Sequence, residues 1–92
     1  MTEEEKFKQL YQIVKTYYGQ HTVRFFAGHK LYFEKHGGLD EFLNMDKTKQ
    51  GQLLWDNENA GHDLVRKQLE NVFPRDTEKY LRAQVAKYEE ET

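Results

Sequence analysis

Phe7, Leu10, Tyr11, Val14 and Tyr18 recur at intervals of three and four. That spacing follows the turn of an α-helix and gathers all five side chains on one face. A face of that kind is stable only when something covers it. The chain has 92 residues and no cysteine, so no disulfide can substitute for a core. Only 37% of the residues are hydrophobic, which leaves the thirteen aromatics (six Phe, six Tyr, one Trp) to supply much of the buried volume. The first constraint is therefore a small domain of amphipathic helices that cover one another.

The ends of this first helix are marked. Thr2 followed by Glu5 forms a capping-box pattern. Glu3, Glu4 and Glu5 suit the positive end of the helix dipole, and Gly19 is placed to end the helix.

Residues 22–36 admit two readings. Thr22-Val23-Arg24-Phe25-Phe26 and Lys30-Leu31-Tyr32-Phe33 both resemble strands, with Gly28 between them, and would make a hairpin at about 22–34. Wound at 100° per residue, the same stretch places Phe25, Phe26, His29, Tyr32, Phe33 and His36 on one side, with Gly37-Gly38 as the stop. Gly28 would cost the helix about 1 kcal/mol. A lone hairpin would in turn need support from its neighbours. We favour the helix.

Farther along, Leu39, Phe42, Leu43 and Met45 indicate a short helix. Asp46 is placed to cap a second short piece carrying Leu53, Leu54 and Trp55, against which Gly51 argues. Residues 56–61 (Asp-Asn-Glu-Asn-Ala-Gly) read as a loop, with Asn59 as the next cap. Leu64, Val65, Leu69, Val72 and Phe73 then form a helical pattern closed by Pro74. A final helix is expected from about Asp76 to Glu89, with Leu81, Val85 and Tyr88 inside and Tyr80 beside them. The acids Glu89, Glu90 and Glu91 oppose the dipole at its end and should fray. The expected fold is all-α: one small domain over residues 1–92, a bundle of four to five short helices with short frayed acidic termini. The alternative is α+β with the hairpin.

The composition narrows the chemistry. Without cysteine there is no thiol nucleophile, zinc–thiolate site or iron–sulfur cluster, and without a single serine the serine-dependent mechanisms fail as well. His21, His29, His36 and His62 form no metal-ligand motif. On a continuous helix the first three are spaced more than about 10 Å apart along the axis, beyond the span of one metal ion. Asp46, Asp56, Glu58 and Asp63 lack the glycine and terminal glutamate of a calcium loop. Gly37-Gly38 stops a helix and is no phosphate loop. No metal, cofactor or small-molecule substrate is implied, and the expected protein is not an enzyme. No run approaches the ~20 apolar residues of a membrane span. The acidic Met1-Thr2-Glu3-Glu4-Glu5 start has no apolar signal core and no lipidation box is found at the other end, so a cytoplasmic location is expected. The composition is compatible with a bacterial or phage accessory protein.

Charge and aromatics are unevenly spread. Residues 6–35 hold six basic side chains (Lys6, Lys8, Lys15, Arg24, Lys30, Lys35) against the single acid Glu34, while the whole chain is at −2. Eight of the thirteen aromatics lie between Phe7 and Phe33. Tyrosine, tryptophan and arginine anchor interfaces by joining apolar area to a polar handle. The expected function is thus a non-enzymatic protein-interaction, adaptor or regulatory protein. Its surface would be an aromatic patch with a basic rim, drawn from Tyr17, Arg24, Phe25, Lys30, Tyr32, Lys35 and Trp55. The partner would be another protein or a second copy that presents its acidic half. The alternative is a nucleic-acid-binding accessory protein, in which segment 6–35 stacks bases on rings and meets phosphate with its cations.

Overall fold

The computed structural model describes residues 2–70 and 74–89. Within them the chain forms five α-helices: α1 (Glu3–Tyr18), α2 (Thr22–His36), α3 (Leu39–Leu43), α4 (Lys47–Leu69) and α5 (Thr77–Glu89). A 3-10 turn at Gly19–His21 links α1 to α2, and another at Pro74–Asp76 leads into α5. No strand occurs among the described residues, so the helical reading of residues 22–36 holds and the hairpin alternative does not.

The first helix starts as its sequence dictates. Thr2 Oγ1 accepts from the Glu5 amide at 3.2 Å, and the Glu5 carboxylate answers the Thr2 amide at 3.3 Å. Those bonds hold the Glu5 carboxyl below its ordinary range, the Thr2 side chain contributing most. At the far end the Gly19 amide donates to the Lys15 carbonyl with φ at 55°, a conformation glycine adopts without strain. Gly37 and Gly38 continue the pattern at φ 75° and 87°, which turns the chain out of α2 and into α3.

The core is aromatic. Phe7, Leu10, Tyr11 and Val14 enter it from α1, Phe26 and Phe33 from α2, Leu39 and Phe42 from α3, Leu54 from α4, and Val85 and Tyr88 from α5. Phe26 is central: its ring meets Tyr11 edge-on at 5.4 Å and Tyr88 at 5.2 Å. Such tilted pairs add about 0.5–1.5 kcal/mol beyond their buried area. α2 packs against α1, α4 and α5 in turn and so forms the spine of the molecule, whereas among the described residues α4 and α5 scarcely touch each other.

The stretch after Asp46 differs from expectation. Asp46 does cap a helix, its carboxylate accepting from the Lys49 amide at 2.9 Å. That helix is not a short piece followed by a loop at residues 56–61. It runs unbroken for 23 residues to Leu69. The reason is tertiary. Gln50, Leu54, Gly61 and Val65 form one buried stripe, and Gly61 lies directly against the backbone of Gly28. Packing along this stripe outweighs the turn preference of Asp56, Asn57 and Asn59. Gly51 has a packing reason of its own, since the Tyr17 ring occupies the space where its side chain would be. Buried Gln50 ties α4 to α3 by donating to the Phe42 carbonyl at 3.1 Å. Val72, Phe73, Glu90 and Glu91, where the sequence predicts a helix end and a frayed acidic tail, lie outside the described residues. Among the described residues no helix is long and apolar enough to cross a membrane.

Candidate functional site

Because α4 and α5 lean on α2 without closing on each other, an open groove of about 1110 Å³ remains between them. α2 and the turn before it contribute His21, Arg24 and Phe25 at helical spacing. α4 contributes a polar wall of Asn59, His62, Asp63 and Arg66 with Val65 and Leu69 beneath it, and α5 and its leading turn contribute Arg75, Glu78 and Leu81. Phe25 is half-buried in the floor, stacked on Tyr18 at 4.1 Å and nearly parallel to it, with the His62 ring edge-on at 5.0 Å. The groove thus combines an aromatic and aliphatic floor with arginines on each of its three sides.

Its acids are engaged by neighbouring arginines. Asp63 lies 3.4 Å from Arg66, and Glu78 accepts from Arg82 at 2.9 and 3.1 Å. Exposed Arg24 makes no ion pair among the described residues. The stripe of Asn59, His62 and Arg66 continues one turn toward the start of α4 to Trp55, which is 70% exposed just outside the lining.

A part-buried polar cluster underlies the floor. The Tyr18 hydroxyl donates to Glu58 Oε2 at 3.3 Å and lies 3.4 Å from His29 Nε2. A hydroxyl has one proton, so with it directed to Glu58 the contact to His29 is a hydrogen bond only in the tautomer that carries its proton on Nε2. His29 Nδ1 is then a bare acceptor, and it has no hydrogen-bond partner. Burial holds the His29 pKa down to about 4, aided by the nearby His62. Burial, then the Glu58 charge, pushes the Tyr18 hydroxyl up to about 12.

The seven residues assigned to a surface patch do not form one surface. Arg24 and Phe25 line the groove. Tyr17 is 44% exposed, but its hydroxyl donates to the Lys47 carbonyl and its ring lies on Gly51, so it clamps α1 to the start of α4. Lys30 faces α1, with its ammonium 5.2 Å from the Phe7 ring centre and 3.1 Å from Glu34. Tyr32 packs on Phe33 and His36 near the end of α2. Lys35 borders a separate hollow with Leu31, Leu64 and Lys67, about 16 Å along α2 from Arg24 at 1.5 Å per residue. Trp55 stands at the groove's end. Sequence reasoning missed His62, Arg66, Arg75 and Leu81. The first two were legible as a face with Asn59 and Asp63, but only once residues 56–61 are wound as a helix.

No family model matches this chain, and comparison with curated proteins and with solved structures returns no match.

Proposed function

We propose that this chain is a small non-enzymatic interaction protein of the cytoplasm that holds a protein partner in the groove between α2, α4 and α5. The observation that carries the reading is the groove itself: an apolar floor centred on Phe25, bordered by arginines from three separate elements. Burial of such a floor supplies affinity at about 25 cal/mol per Å² before the costs of association, and arginine is a favoured anchor at interface rims. The absence of serine and cysteine supports a binding role over nucleophilic catalysis, and a cysteine-free chain suits a reducing compartment. Against the alternative of nucleic acid stands the use made of segment 6–35. Phe7, Tyr11, Phe26 and Phe33 are buried, and Lys6 and Lys30 are paired with Asp40 and Glu34. Half of the eight rings in that segment are thus committed to the core, and at least two of its six cations are paired.

A positional cross-link tests the reading. A photo-reactive residue introduced at Leu81, in the groove, is expected to capture a discrete protein that the same residue at exposed Gln12 on α1 does not. Equal capture from both positions overturns the assignment to the groove. Salt-dependent binding of a mixed oligonucleotide pool, lost when Lys30 and Lys35 are changed to Glu, would favour the nucleic-acid alternative.

A further inference from the structure

We infer that the groove's occupant is an acidic peptide segment with an apolar anchor, bound along the α4 stripe that runs from Arg66 to Trp55. The inference rests on the protein-binding role proposed above and names the chemistry of the partner. It follows from the local balance of charge. The chain as a whole stands at −2, yet the groove has Arg24, Arg66 and Arg75 against Asp63 and Glu78. Glu78 is already bonded by Arg82 from outside the lining, and Asp63 by Arg66. A carboxylate entering between the walls meets Arg24, which makes no ion pair among the described residues, and paired N–H donors suit a carboxylate better than a lysine's point charge would.

The apolar part is equally placed. Phe25, Val65, Leu69 and Leu81 come from all three helices and converge beneath the arginines. A wholly polar acidic chain would leave that surface wet, so the occupant must carry an aromatic or aliphatic side chain among its acids. From Arg66 to Trp55 the stripe spans eleven residue steps of helix, about 16 Å. That length matches three turns of a bound helix or about five residues of extended chain. Trp55 ends the run as an exposed indole, a residue type over-represented among those that dominate interface affinity.

Panning a random twelve-residue phage-display library against the folded protein tests this. Enriched clones are expected to place two or more Asp or Glu around a large apolar residue. Their synthetic peptides should bind at least tenfold more weakly to the Arg24→Glu/Arg66→Glu double variant, and several-fold more weakly to Trp55→Ala. Both variants change exposed side chains, and circular dichroism checks that each is folded. Enriched neutral or basic clones that still depend on Leu81 or Arg66 would overturn the acidic partner while leaving the groove as a binding site. Absence of enrichment, or clones indifferent to every groove substitution, would overturn both this inference and the function it rests on.

Discussion

Gly28 and Gly61 meet backbone to backbone where α2 crosses α4, so closely that a β-carbon on Gly61 would fall 2.8 Å from the Gly28 carbonyl carbon. The reciprocal distance, from a β-carbon on Gly28 to the Gly61 carbonyl carbon, is 3.0 Å. Neither obstacle is a flexible side chain, so relief requires the two helices to separate. Gly61→Ala gains about 1 kcal/mol of helix propensity but incurs an overpacking cost of about 1–3 kcal/mol. With main chain on both sides the steric cost dominates. Urea unfolding should show a net loss of about 1–2 kcal/mol for Gly61→Ala, and a smaller one for Gly28→Ala. A gain in stability from either would refute the close crossing.

His29 makes stability depend on pH in a definite direction. Its folded pKa of about 4 lies below the 6.5 of a free imidazole. Between those values the unfolded chain binds a proton that the folded chain refuses, so stability falls as pH is lowered from 6.5 toward 4 and this group adds nothing further below that. At 1.36 kcal/mol per pKa unit the loss approaches about 3 kcal/mol. His29→Leu, of similar bulk and without the unpartnered nitrogen, should flatten the acid limb of a melting-temperature profile relative to the parent protein. It should change stability near pH 7 much less, because only a long 3.4 Å contact to Tyr18 is given up. Parallel profiles for the two proteins would count against a neutral buried imidazole.

The same elements show where the sequence is legible. α1 could be read end to end because cap, dipole and apolar spacing all agree within sixteen residues. α2 is ambiguous in the sequence because Gly28 weakens a helix locally, and the feature that justifies it, Gly61, lies 33 positions away. Asp56 to Gly61 read as a loop because asparagine, aspartate and glycine favour turns on local grounds. In the fold, Leu54, Gly61 and Val65 are one buried stripe, and a glycine in a stripe gives no hydrophobic signal. The site is hidden in the sequence for the same reason. Arg24 and Phe25 stood out because they lie in the basic aromatic segment, but the opposite wall is a face of α4 that vanishes once that helix is cut in two.

The cap at Asp46 carries the longest helix of the chain. Its carboxylate satisfies the Lys49 amide at 2.9 Å, and Asp46→Ala should lower unfolding free energy by about 1 kcal/mol in chemical denaturation. Asp46→Asn, which keeps an acceptor, should lose much less. Equal losses would assign the effect to charge and not to the cap.

Trp55 is the sole tryptophan, and 70% of it faces solvent. Its fluorescence should be red-shifted and readily quenched by iodide in the free protein, and shielded when a groove ligand is bound. Trp55→Ala should alter stability by less than about 0.5 kcal/mol, as for an unpacked surface side chain. A blue-shifted emission from the free protein would contradict the exposed indole.

The gap between α4 and α5 links occupancy to rigidity. Each wall is attached to the spine separately, and Tyr80 with Gln68 at 3.4 Å provides a long, weak tie between them. A guest that spans both walls adds contacts that the chain alone does not make. Its binding energy would therefore be read directly as a rise in melting temperature, and the amides of α5 would exchange more slowly with solvent deuterium in its presence. With its groove empty, the free protein is then less rigid than the same protein with a guest bound.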